Sequence, residues 1–214
     1  MTDYQSIITS AKVSDPDNFR KKANELHTFL CEYNTKVNLT RITEYEDYIL
    51  KHVCDSLLLG VAFSELTERK ISLCDIGCGA GFPSLILALA YPNWQITAID
   101  SIGKKTTFVK LAAEKLLLKN IEVITGRTNE LNRKGEWKNR FDIVTARAVA
   151  TAKTVYTDAR NFPKKNGRFI LYKTPEQLKE DLPEIKSAAS DKKWQTTQIF
   201  ELPSNAGSRQ FLYY

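Results

Sequence analysis

A chain of 214 residues, 43% hydrophobic and 26% charged, is long enough to bury one sizeable core and short for two full domains. No apolar run approaches the length of a membrane span, and Met1-Thr2-Asp3-Tyr4-Gln5 lacks the charged-then-apolar layout of a signal peptide, so the expectation is a soluble, cytoplasmic protein with no membrane partner. The formal net charge of +6 and sequence pI near 9.0 suit a polyanionic partner, because lysine and arginine neutralise phosphates and release counterions; they equally suit a solvated basic surface, since the cations are spread rather than blocked.

Asp15-Pro16 opens an amphipathic helix, with Phe19, Ala23, Leu26, Leu30, Tyr33 and Val37 striping one face at intervals of three and four. A second helical pattern runs from about residue 44 to 61 through Tyr45, Tyr48, Ile49, Val53, Leu57, Leu58 and Val61, and it places His52, Asp55 and Ser56 on neighbouring turns. The charged stretch Thr67-Glu68-Arg69-Lys70 divides an N-terminal helical segment, 1–68, expected to pack on the core, from a domain covering 69–214. From Ile71 short apolar runs at 71–76, 95–100, 121–125, 141–146 and 167–173 read as strands separated by plausible crossover helices, which predicts a doubly wound, mostly parallel α/β sheet. Two further runs, 194–202 and 209–214, are joined by Pro203-Ser204-Asn205-Ala206-Gly207-Ser208, too short for a helix, and are expected to pair antiparallel.

The strand ending at Asp75 is followed by Gly77, Gly79 and Gly81 and by Pro83 at a helix start, a backbone that lets a ligand approach closely. A dinucleotide fingerprint does not fit, because its third glycine would fall on Phe82 or Ser84. Asp100 ends the next strand 19 positions after Gly81, where a carboxylate can accept from both hydroxyls of an adenosine ribose; the plain alternative is a cap before Ser101. His52 with Asp55 and Ser56 suits either a substrate site or a buried, hydrogen-bonded histidine. Arg147 follows a strand at the sheet end where α/β ligands bind, or else serves as an ion-pair residue. Lys104, Lys105, Lys164, Lys165 and Arg168 follow strand ends or turns and suit RNA phosphates. Cys31, Cys54, Cys74 and Cys78 form no Cys-x-x-Cys pair, and with His27 and His52 the sole histidines no metal site is expected.

The acid-terminated strand, glycine loop and Asp100 together resemble class I S-adenosylmethionine methyltransferases over residues 71–214. That resemblance implies a Rossmann-like, seven-stranded sheet with an antiparallel C-terminal strand and, here, an N-terminal helical extension. More narrowly, Asn38-Leu39-Thr40, His52-Val53-Cys54-Asp55-Ser56, the 75–84 loop, Asp100-Ser101-Ile102-Gly103-Lys104-Lys105, Arg147-Ala148-Val149-Ala150 and Arg209-Gln210-Phe211-Leu212 resemble, in order, the RsmG/GidB family of guanine-N7 methyltransferases acting on 16S ribosomal RNA.

The resemblance implies S-adenosylmethionine as cofactor, with S-adenosylhomocysteine as product, and a small ribosomal subunit or its 16S rRNA as substrate of a monomeric enzyme. By the same resemblance Asp75, Gly77, Gly79, Gly81, Phe82, Asp100, Thr128, Asn129 and Arg147 would form the cofactor site, and Asn38, His52, Asp55, Ser56, Arg147 and Lys173 would border the target guanine. The chain departs from the family pattern at Cys78, where threonine is commonest, at Ser84 and Thr174, where glycine is usual, and at Asn129, where an acid is usual. Two rival readings keep part of this: a methyltransferase of small molecules or proteins, and a non-enzymatic adenosine-binding protein.

Overall fold

The computed structural model of the chain describes residues 3–214. Helix α1 (Tyr4–Ser10) starts at a reciprocal capping box between Asp3 and Ser6, and α2 (Pro16–Asn34) starts where Asp15 accepts from the Asn18 N–H with Pro16 in the first turn. The predicted stripe of α2 is buried at Phe19, Ala23, Leu26 and Leu30. The helix stops short of Val37 because the Asn34 side chain folds the chain back, its Oδ1 accepting from the Leu39 and Thr40 amides at 2.7 and 3.1 Å.

The second predicted helix is one run with an internal irregularity: α3 (Tyr45–Tyr48) passes through a π-helical stretch (Ile49–Cys54) into α4 (Asp55–Ala62). A π turn holds one extra residue, so carbonyls leave the regular ladder and become free for side-chain donors.

Strands β1 (Ser72–Ile76), β2 (Gln95–Asp100), β3 (Ile121–Thr125), β4 (Phe141–Arg147) and β5 (Pro163–Lys173) are parallel, and β8 (Ser208–Tyr213) adds antiparallel to β5. The order is β3-β2-β1-β4-β5-β8-β6, with β6 (Gln195–Thr196) and β7 (Phe200–Glu201) both pairing antiparallel with β8. The α/β class and the antiparallel end follow the sequence pattern. The run expected at 194–202 divides into two short strands because Thr197 turns its hydroxyl to the Phe211 amide and its carbonyl to Gln210. Strand β5 begins four residues earlier than its apolar run: Pro163 pairs with Phe141 and Arg168 with Ile143, and residues 164–167 stand out of the ladder.

Helices α5 (Ser84–Ala90), α6 (Gly103–Lys115), α7 (Thr128–Leu131), α8 (Ala152–Ala159) and α9 (Pro175–Ala188) complete the layers. One core joins Leu26, Leu30 and Leu57 of the N-terminal helices to Leu73, Leu85, Phe108 and Ile143, so the N-terminal segment covers one face of the sheet. The other face is covered by α8 and α9 around Phe162, Phe169, Leu178 and Trp194. Strand order reverses direction between β1 and β4, and ligands of open α/β sheets bind outside the carboxyl ends of the strands at such a point. No described helix is long and apolar enough to cross a membrane.

Candidate active site

At that reversal the chain leaves β1 through Gly77, Gly79 and Gly81, with φ of +67, +57 and +88°, a left-handed run that side chains resist. A Cβ on Gly77 would lie 2.5 Å from Val149, and one on Gly81 2.5 Å from Leu85, so close packing as well as backbone conformation keeps both positions bare. The loop is tied across to β2 by the Cys78 N–H donating to the Ile99 carbonyl at 2.9 Å and by the Gly79 N–H donating to Asp100 Oδ2 at 3.0 Å. Asp100 Oδ1 accepts from the Ile102 amide at 2.8 Å, which fixes the carboxylate at the mouth of the strand. A cleft of about 390 Å³ opens beside it, lined by Gly77, Asp100, Ile102, Thr128, Asn129 and Val149 among others.

Of the residues the sequence selects for a cofactor, Gly77, Asp100, Thr128 and Asn129 line this cleft, while Asp75, Gly79, Gly81, Phe82 and Arg147 do not. Asp75 is fully buried, its Oδ2 accepts from Ser84 Oγ, and its Oδ1 has no partner among the described residues. Burial pushes its carboxyl up to about 7, against the lowering effect of the Ser84 hydrogen bonds. Ser84 supplies the one hydroxyl this buried acid receives.

Phe82 joins the loop to the second cluster, its ring stacked on His52 at 4.0 Å between centroids and 4° between planes. Four of the residues selected to border the substrate, His52, Asp55, Ser56 and Arg147, meet here. His52 Nδ1 lies 3.1 Å from Arg147 Nη2; a guanidinium only donates, so Nδ1 accepts and the ring proton sits on Nε2, which faces Thr40 Oγ1 at 3.5 Å. Burial first, and the Arg147 charge second, hold the His52 pKa down to about 3, so the ring is neutral.

Asp55, 1% exposed, takes donors from two guanidinium groups: Arg147 Nη1 at 2.8 Å, and Arg209 through Nε at 2.6 Å and Nη2 at 2.8 Å. The π stretch matters here, since Arg147 Nη1 also donates to the Lys51 carbonyl at 2.9 Å, while Ser56 Oγ makes the ordinary i to i−4 bond to the His52 carbonyl at 2.6 Å.

Two selected residues stand apart. Asn38 is exposed, two positions before the Thr40 that touches His52. Lys173 is buried, with its Nζ 2.6 Å from Asp181 and donating to the Ala150 carbonyl at 2.9 Å. It thereby holds the segment after β4, where Ala148 takes a left-handed φ of +54° and Val149 is laid against Gly77. Arg209 is visible in the sequence as part of a motif but carries no role there, since at the polar start of the terminal strand it reads as a solvated residue. Asp181 carried none, because an acid on an amphipathic helix reads as a solvated face. No group of three or more His, Cys, Asp or Glu side chains among the described residues is placed to hold a metal ion.

The family model described as rRNA small subunit methyltransferase G matches residues 20–210. Relatives of that name include proteins from Mycoplasma capricolum, 38% identical over 91% of this chain and 82% of its own length, and from Staphylococcus epidermidis, 37% identical over 90% and 80%. Another, from Lactococcus lactis subsp. cremoris, is 35% identical over 87% of this chain and 77% of its own. Among solved structures, a SAM-dependent methyltransferase from Aquifex aeolicus superposes with a TM-score of 0.57 at 16% identity, over 78% of this chain and 92% of that one, which is a likeness of fold. A ribosomal protein L11 methylase from Lactobacillus delbrueckii subsp. bulgaricus gives 0.55 at 14% identity, over 77% and 78%.

Proposed function

Because the chain belongs to the rRNA small subunit methyltransferase G family, we propose that it transfers a methyl group from S-adenosylmethionine to N7 of a guanine in 16S ribosomal RNA, leaving S-adenosylhomocysteine. The residues fit the cofactor. The cleft has an acid for ribose hydroxyls at Asp100, apolar walls at Ile102 and Val149, and bare backbone at Gly77 where a Cβ has no room. Asp100 would accept from the ribose and the Thr128-Asn129 segment would border the adenine. When bound, S-adenosylmethionine supplies an electrophilic sulfonium methyl group.

The observation that carries the choice of N7 is the state of His52. Its Nδ1 is taken by Arg147, its Nε2 carries the proton, and its pKa is held to about 3, so the imidazole offers no free basic lone pair. Asp55 is likewise occupied by two guanidinium groups. A site without a free base suits an acceptor that needs none, and guanine N7 enters with a lone pair and no proton, unlike an exocyclic amine or a hydroxyl. Positioning then carries the rate, and holding reactants in a near-attack arrangement can supply roughly 7–11 kcal/mol of the barrier. Arg147, Thr40 and Asn38 border the guanine through its O6, sugar or phosphate and leave N7 unobstructed.

The test is transfer of labelled methyl from S-adenosylmethionine to purified small ribosomal subunits. Label in 16S rRNA is expected; label in subunit protein, or none despite cofactor binding, would reject the reading in favour of a small-molecule or protein acceptor.

A further inference from the structure

The end of the sheet opposite the cofactor cleft carries a second charged feature. Between the start of β5 and the end of α8 lies a concavity of about 570 Å³ whose wall includes Arg160, Lys164, Lys165, Arg168, Lys192 and Lys193. Part of it is built by the backbone. Residues 164–167 leave the β4–β5 ladder, and Gly167 closes this excursion so tightly that a Cβ there would lie 2.6 Å from the Phe141 carbonyl and 2.8 Å from the Lys164 nitrogen. The excursion pushes Lys165 and Asn166 into solvent.

The acids nearby answer part of the charge. Lys164 meets both oxygens of Asp142 at 3.0 Å, Lys192 lies 3.6 Å from Asp191, and Arg168 lies 3.9 Å from Glu65. Arg160, Lys165 and Lys193 are exposed and have no ion-pair partner among the described residues. None of the exposed large apolar side chains lines the concavity, which argues against a lipid surface, where basic residues are accompanied by apolar anchors. Exposed cations round a concave wall, with amide donors from Asn139 and Asn166 beside them, suit a phosphodiester backbone.

We infer that this concavity is a second RNA-docking surface, which grips the backbone of a strand other than the one carrying the target base. The inference rests on the functional reading above. Strand β4 begins at Phe141 beside the concavity and ends at Arg147 in the candidate site, and six steps at about 3.3 Å separate them by roughly 20 Å. The body of the sheet lies between them, so a strand seated in the candidate site would have to pass round the protein to reach the concavity, whereas a folded subunit presents separate stretches of backbone at both places.

The experiment compares the wild-type chain with an R160E/K165E/K193E variant, which breaks no ion pair, and with the charge-preserving R160K/K165R/K193R variant. Binding to purified small subunits is measured by sedimentation over a salt series, methyl transfer by KM and kcat, and S-adenosylmethionine affinity by calorimetry. In the charge-reversed variant KM for subunits is expected to rise about tenfold or more and the salt slope to fall by about one per lost contact. The charge-preserving variant should behave as wild type, and kcat and cofactor affinity should stay within about twofold in both. Unchanged KM and salt slope in the charge-reversed variant, with wild-type binding intact, would overturn the inference alone. So would loss of binding confined to phosphatidylglycerol vesicles, which would make the surface a lipid site. Failure of the wild-type chain to bind subunits at all would overturn the functional reading and this inference with it.

Discussion

His52 and Asp75 titrate in opposite senses, and their difference is measurable. The folded chain holds the His52 pKa to about 3, while an unfolded histidine titrates near its ordinary 6.5. As pH falls below 6.5 the unfolded chain takes up this proton first, so stability contributed by His52 is present above 6.5 and is lost towards 3. Asp75 runs the other way: its folded pKa is about 7 against an ordinary 3.8. The folded chain keeps a proton the unfolded chain gives up, so its contribution is present below 3.8 and is lost as pH rises to about 7.

Each single-proton difference is worth ~1.4 kcal/mol per pH unit, so between pH ~4.5 and ~6.5 the two slopes cancel. Asp75→Asn keeps an acceptor for Ser84 and removes one of them. In urea titrations at stepped pH, the stability of the variant minus that of the wild type is expected to climb by ~1.4 kcal/mol per unit, ~3 kcal/mol across this window, and to level off above pH ~7. Taking the difference removes the exposed carboxylates common to both chains. A difference that stays constant with pH would show that Asp75 titrates alike in the folded and unfolded chains and that its burial does not hold the proton.

Asp100→Ala should weaken S-adenosylmethionine binding at least about tenfold by calorimetry, since charge-assisted hydrogen bonds contribute ~1.5–3 kcal/mol each; unchanged affinity in a folded variant would remove Asp100 from the site. Asp55→Asn should lower unfolding free energy by about 1–3 kcal/mol, because it leaves the half-buried Arg147 and Arg209 guanidinium groups without their carboxylate; no measurable loss would mean the cluster is solvated. Arg147→Ala should cost methyl transfer more than cofactor affinity, as its guanidinium faces His52 and Asp55 rather than the cleft, and the reverse ordering would return it to the cofactor. The single-turnover rate at saturating subunit and cofactor should change less than about threefold from pH ~6.5 to ~8.5. A tenfold climb per unit that flattens in His52→Gln would mean the acceptor loses a proton.

The parts of the fold visible in the sequence were those governed by periodicity and turn chemistry. Strands at 95–100 and 121–125 and the buried stripe of α2 follow from apolar spacing. The end of α2 did not, since Asn34 halts it by hydrogen bonds to residues five and six positions on. Nor did the π stretch, because an inserted residue leaves the 44–61 stripe nearly intact while turning the Lys51 carbonyl to Arg147. At the site, glycines and Asp100 announce themselves because backbone approach restricts residue type. The double guanidinium grip on Asp55 joins residues 92 and 154 positions apart, and the Lys173–Asp181 pair is hidden because both residues ordinarily face water. Pairings of that kind belong to the topology and are not written in local spacing.

The acceptor atom is identified by labelling small subunits with methyl from S-adenosylmethionine, digesting their 16S rRNA to nucleosides and reading the labelled species by mass spectrometry. The labelled nucleoside is expected to be 7-methylguanosine in the wild-type reaction and to be lost in Arg147→Ala. Label in a guanosine methylated on its exocyclic amine, or on a ribose hydroxyl, would contradict it, since either acceptor must give up a proton to a base that the His52, Asp55 and Arg147 arrangement does not provide.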